Sequence, residues 1–247
     1  MRGIKVLVLL LGAVLTTTTL SASPIFGTFN IAGTIIVTAT TIKWQSNDSP
    51  FPADLARIGP GATGSFAGLD GTLVTINDLS SGVEPVAVSF PDQPFISFNA
   101  APLLPTLDIN FIFKGIYSNA ACATLPAVVG QTCTPFPPVS PFNFVNNPPG
   151  APFGPQATAT FAFSGQTNDG GLSQWFGNFT SQFSVPYQTV LAAFGPGGSG
   201  EVRNTFSATI TVQPTVPEPG PMTLTGCGLG LVIFSAALRR RFGRRYN

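Results

Sequence analysis

The chain has 247 residues, room for one sandwich-sized domain with extensions at both ends, and a formal charge of only +1. That near-neutrality hides a segregation: over residues 24–215 four basic residues (Lys43, Arg57, Lys114, Arg203) face nine acids, a net charge of −5. A phosphate backbone needs clustered Lys and Arg, so nucleic acid is excluded as a partner. Disordered chains are poor in aromatics, and 22 Phe argue for a packed core.

At the N-terminus Arg2 and Lys5 flank the start of an apolar run over 6–15, followed by a small, polar stretch over 16–23. That is the order of a secretory signal peptide, assigned to 1–23, with Ser21, Ala22 and Ser23 as the small residues a signal peptidase accepts. An apolar run of about ten residues is too short to cross about 30 Å of hydrocarbon, which weighs against a permanent anchor here.

The body alternates in the strand period. Strands are expected over 26–31, 34–41, 72–76, 86–90, 95–98, 107–113, 158–163, 176–185 and 205–212. In 107–113 the pattern places Leu107, Ile109, Phe111 and Phe113 on one face. In 205–212 it separates Phe206, Ala208, Ile210 and Val212 from Thr205, Ser207, Thr209 and Thr211. Residues 53–58 are the only candidate for a helical turn. Short strands punctuated by Gly and Pro predict an all-β ectodomain over 24–212, a β-sandwich or jelly roll.

Within it, Cys122 and Cys133 are the only cysteines outside the C-terminal apolar segment and predict one disulfide in an exported chain. Residues 134–155 hold eight prolines and read as a long loop, since proline withholds ladder donors. Phe136, Phe142, Phe144 and Phe153 favour a flap over an apolar face. Residues 195–200 satisfy GxGxxG, but a strand pattern follows where a dinucleotide site needs a helix, so a turn is expected.

A linker over 213–221 carries Val216, Pro217, Glu218 and Pro219, followed by an uncharged segment over 222–238 and a tail over 239–247. Seventeen uncharged residues reach the lower limit for a transmembrane helix, and Arg239, Arg240, Arg241, Arg244 and Arg245 would hold the tail in the cytoplasm. This order of motif, short span and arginine cluster resembles the PEP-CTERM sorting signal of bacterial surface proteins. The resemblance covers about residues 216–245. It implies export, recognition of Pro217, Glu218 and Pro219 by an exosortase, and removal of the span and tail. A proline-rich stalk before an ordinary anchor is the alternative reading.

Catalytic chemistry is sparse. The sequence has no histidine, which removes Ser-His-Asp and Cys-His catalysis and His-ligated zinc. No catalytic residue, metal site or cofactor is assigned. Asn47-Asp48 and Asn77-Asp78 could offer oxygens to calcium, with turn formation the favoured reading. Trp44 and Trp175, with Tyr117 and Tyr187, could stack on sugars, though core packing is the commoner fate. The expectation is a non-enzymatic cell-surface or matrix protein with a structural or adhesive role in envelope or exopolysaccharide. Its partners would be signal peptidase, exosortase, the membrane and extracellular polysaccharide. A carbohydrate-binding module is the alternative, and a glycoside hydrolase a weaker one.

Overall fold

The computed structural model describes residues 23–47, 52–135, 140–148 and 156–215. The chain divides into two compact units, Met1–Pro214 and Thr215–Asn247, and every element below belongs to the first. The signal segment up to residue 22, the Val216, Pro217, Glu218, Pro219 motif, the span 222–238 and the arginine tail lie outside the described residues. Among the described residues no helix is long and apolar enough to cross a membrane.

The protein is all-β. Its strands are β1 (Gly27–Thr38), β2 (Thr41–Gln45), β3 (Leu55–Ile58), β4 (Leu73–Ile76), β5 (Leu79–Ser80) and β6 (Gln93–Phe98). They continue as β7 (Leu107–Ile112), β8 (Thr132–Cys133), β9 (Asn143–Asn147), β10 (Gln156–Thr167), β11 (Ser173–Phe183) and β12 (Glu201–Pro214). Eight of them close on themselves in the order β1-β3-β4-β6-β7-β10-β11-β12, because β12 returns to β1 and β11 pairs with β10. The sheet is therefore a closed barrel, where the sequence suggested a sandwich or jelly roll. Half-buried strands alternate identically in all three; only the meeting of strand edges separates them.

Strand length shapes the barrel. β1, β10, β11 and β12 run for 11 to 14 residues, and β3, β4, β6 and β7 for 4 to 6. The long strands outrun the short ones at one end. There β2 takes the edge of β1 that β3 has left, and β9 takes the edge of β10 beyond β7. Gly33 sits at the first of these forks. A Cβ on it would lie 2.7 Å from the Gln45 carbonyl oxygen and 3.0 Å from the Phe206 ring, so no side chain fits. The end at which β2 and β9 join is the flared end of the barrel.

Aromatic side chains fill the interior. Trp44, on β2, is the hub, with ring centroids 4.8 Å from Phe206, 5.4 Å from Phe179 and 6.0 Å from Phe95. Phe95 in turn stacks on Trp175 at 5.7 Å. Rings of this size bury roughly 150–250 Å² each, enough to make the barrel a packed core and not a pore. A second cluster of Cys133, Phe144, Ala157, Ala159, Tyr187 and Val190 lies at the flared end.

Five local expectations change. Segments 26–31 and 34–41 belong largely to one strand, β1, that runs straight through Gly33. Segment 53–58 forms β3 in place of a helical turn. Segment 86–90 makes a single bridge, Val86 to Ile112, because Ala87 takes a positive φ of 64° between flanking prolines. Inside the proline-rich stretch 134–155 the proline-free residues Asn143–Asn147 form β9, and a short helix, α1 (Tyr187–Ala192), appears where no helix was expected.

Candidate functional site

Two surfaces of the barrel stand apart from ordinary packing. The first is the outer face of β1, β12, β11 and β10. Register places their outward side chains in rows: Thr28 beside Thr211, then Phe176, then Ser164; Asn30 beside Thr209, then Asn178, then Ala162. The next row is Ala32, Ser207, Thr180, Thr160, and beyond it Thr34 pairs with Thr205 and Gln182 with Thr158. No charged residue occupies any of these positions. The Thr209 hydroxyl donates to Asn30 Oδ1 at 2.8 Å, tying neighbouring strands across the lattice. A shallow, open trough of about 640 Å³ lies on this face, lined by Thr160, Phe176, Asn178, Thr180, Ser207 and Thr209.

The aromatic end of that trough is produced by a β-bulge. Gly165 pairs with Ile109 and Ser164 with Phe111, so Asn110 is an extra residue in β7. The insertion reverses the alternation beyond it. Leu107, Ile109 and Ile112 point inward, whereas Phe111 and Phe113 leave the core face on which the sequence pattern placed them. Phe113 reaches the outer surface at 38% exposure, joined by Phe176 at 43%. The rings of Phe111 and Phe113 are 4.9 Å apart, and those of Phe113 and Phe176 5.6 Å. Ser164 and Ala162 lie between these strands and leave the rings uncovered.

Polar groups hold the bulge. Asp92 accepts from Asn110 Nδ2 at 3.0 Å and from Gln166 Nε2 at 2.5 Å, while Trp175 Nε1 donates to the Asp108 carbonyl at 2.8 Å. Burial, and secondarily the neighbouring Asp92 carboxylate, hold the Asp108 carboxyl above the usual range. Among the described residues its buried Oδ1 has no hydrogen-bond partner. Asp78 is also raised, by burial first and the Asp54 carboxylate among the lesser causes, and accepts from the Trp44 backbone N–H at 3.0 Å. Asp70 is lowered by the Gly61 and Ala62 backbone N–H groups, each at 3.0 Å.

The second surface is an apolar cavity of about 420 Å³ at the flared end, between the two hydrophobic clusters. β1, β9, β10, β11 and β12 supply its walls and α1 its roof. The roof is pinned from beneath. Asn146, almost fully buried, accepts the Tyr187 backbone N–H at 3.0 Å and donates to Gln188 at 2.9 Å. The Tyr187 hydroxyl donates to the Ala121 carbonyl, and Gln188 Nε2 to the Thr124 carbonyl and to Gln131 Oε1. Ala121, Thr124 and Gln131 flank or lie within the loop closed by the Cys122–Cys133 disulfide, whose Cα atoms are 5.1 Å apart. Phe142 and Phe144 turn inward against this end, Phe142 packing on Phe161 at 5.0 Å.

The residues singled out from sequence fare unequally. Trp44 and Trp175 are 1% and 2% exposed, so neither can stack on a sugar; both are core. Tyr187 is likewise buried. Asn77 donates to the Pro94 carbonyl and Asn47 accepts from Thr34, while Asp48 lies outside the described residues. Among the described residues no three His, Cys, Asp or Glu side chains group as for a metal. The GxGxxG stretch is a turn between α1 and β12, closed by the Gly198 N–H on the Gly195 carbonyl. Sequence reasoning missed Phe111, Phe113 and Phe176 as a surface group. The one available signal was Phe176, in phase with Asn178 and Thr180 rather than with Phe179.

No protein-family model, no curated protein and no solved structure matches this chain.

Proposed function

We propose that this chain is an exported bacterial surface or matrix protein whose barrel adheres to extracellular polysaccharide through the outer face of β10, β11, β12 and β1, without catalysis. The observation that carries the reading is the exposed pair Phe113 and Phe176, backed by half-buried Phe111, beside an uncharged lattice of hydroxyls and amides. Sugar rings present apolar C–H faces to aromatic rings and hydroxyls to Thr, Ser and Asn side chains. Each contact is weak, but a repeating polymer meets a repeating lattice many times over, and linked contacts multiply in avidity.

Export rests on the ends of the chain. Residues 1–23 have the order of a signal peptide, and 216–245 resemble a PEP-CTERM signal. In this reading an exosortase recognises Pro217, Glu218 and Pro219, with 222–238 as a temporary span and Arg239, Arg240, Arg241, Arg244 and Arg245 as its cytoplasmic stop. A Cys122–Cys133 disulfide suits the oxidising compartment this places the body in.

The Asp92 and Asp108 neighbourhood favours a second reading, glycoside hydrolysis, which uses two carboxyl groups. Adhesion is preferred because Asp92 is committed to Asn110 and Gln166, and one Asp108 oxygen is buried. Co-sedimentation of the full chain with exopolysaccharide from the producing bacterium tests both. Retention without new reducing ends is expected; release of reducing ends would favour the hydrolase, and absence of retention would remove adhesion. The mass of the mature protein tests sorting separately: an intact C-terminus at Asn247 would contradict processing.

A further inference from the structure

We infer that the cavity at the flared end of the barrel is a binding site for one uncharged, lipid-like chain, such as a long-chain alcohol or a neutral acyl compound. The inference is independent of polysaccharide adhesion, because the two sites use opposite faces of the same strands.

About 420 Å³ lies within the range of roughly 300–1,000 Å³ typical of small-molecule sites, and mouths of β-barrels are a common place for them. Long strands project past the short ones, so Ile35 and Phe161 form the floor where the main core ends, and Phe144, Phe183, Val190 and Leu191 form the sides and roof. The two hydrophobic clusters approach but leave this space between them. A gap of that size lined by apolar atoms is not a packing error of a methyl group or two.

Charge and polarity then narrow the ligand. Among the described residues no Asp, Glu, Lys or Arg side chain lines the cavity. A carboxylate or phosphate head entering it would lose its hydration with no cation to replace it. The polar groups present are few and fixed. Asn204, the inward-facing polar residue of β12, donates through Nδ2 to Ser181 Oγ at 2.9 Å and to the Gln182 carbonyl at 2.6 Å. Ser181 spends its own proton on the Thr205 carbonyl at 2.8 Å. Asn204 is thus oriented by its neighbours, and its Oδ1, which has no hydrogen bond among the described residues, is free to accept. The site therefore offers an apolar channel with an unengaged acceptor at Asn204, matched by an alkyl chain that ends in a neutral hydroxyl or amide N–H donor.

The full-length chain tests this with a long-chain alcohol bearing a tail diazirine, photolysed and mapped by mass spectrometry. Adducts are expected on the peptides of α1, β11 and β12. Excess dodecanol should suppress them, and dodecanoate should do so about tenfold less effectively. Val202, half-exposed at the cavity wall, can be enlarged without entering the core. Val202→Trp should cut labelling about tenfold while leaving thermal unfolding unchanged. Should that variant fail to fold, Leu191→Trp on the roof serves the same purpose. Labelling confined to 222–238, spread evenly over the chain, or indifferent to both tryptophan variants would overturn the inference. Equal suppression by dodecanol and dodecanoate would overturn the neutral-ligand assignment.

Discussion

Gly165 lies so close to Asp108 that a Cβ on the glycine would stand 1.8 Å from the Asp108 carbonyl oxygen and 2.8 Å from Trp175 Nε1. This contact sits at the bulge that turns Phe111 and Phe113 outward. A side chain there must push β7 away from β10 and break the Trp175 hydrogen bond. Gly165→Ala should destabilise the fold by about 1–3 kcal/mol, the usual cost of overpacking, as read by urea unfolding. It should also weaken polysaccharide retention in the fraction that remains folded, because the bulge aims the aromatic group.

Asn146 is the polar pin of the cavity roof. Asn146→Ala leaves the buried Tyr187 N–H without its acceptor and Gln188 without a donor. A loss of about 1–3 kcal/mol is expected, together with faster amide exchange at Tyr187 and Gln188. Unchanged exchange in α1 would show that the roof is held by apolar contacts alone.

The Cys122–Cys133 disulfide closes a loop whose carbonyls and side chains hold Tyr187 and Gln188. Removing it by paired Ser substitution should cost about 2–3 kcal/mol on a chain-entropy estimate. The loss should be accompanied by looser binding of a neutral chain at the roof. Trp fluorescence of the barrel core should hardly change before global unfolding, since Trp44 and Trp175 lie in the other cluster.

Asp108 is held above its ordinary range by burial, so its charged form disfavours folding. A folded-state pKa above the unfolded value of about 3.9 contributes stability below that value, and the contribution is lost as pH rises through the folded pKa. Asp108→Asn should therefore raise the melting temperature at pH 7, with the gain shrinking as pH falls toward about 4. Asp70 has the opposite sign: its backbone hydrogen bonds stabilise above the unfolded value and fade as pH falls through the lowered one.

Much of this fold was legible in the sequence. The alternation in 205–212 gives β12 both its faces, and the cysteine pair gives the disulfide. Closure into a barrel was not legible, because alternation says which residues are buried but not which edges meet. Phe111 was misread for a related reason. Its facing depends on Asn110 being an extra residue opposite β10, a property of the pair of strands and not of either alone. Trp44 and Trp175 show the converse: a large amphipathic ring can serve a surface or a core, and only the surrounding Phe95, Phe179 and Phe206 settle it. β9 was hidden by the prolines around it, and α1 is too short to leave a helical period.

The polysaccharide-binding claim rests on Phe113 and Phe176, and their substitution tests it most directly. Both are substantially exposed, so Phe113→Ser with Phe176→Ser should leave stability within about 0.5 kcal/mol per site. Retention on the producing bacterium's exopolysaccharide, measured by co-sedimentation of wild type and double variant side by side, should fall about tenfold or more. Equal retention of the two folded proteins would contradict the assignment of the outer face of β10, β11, β12 and β1 as the binding surface.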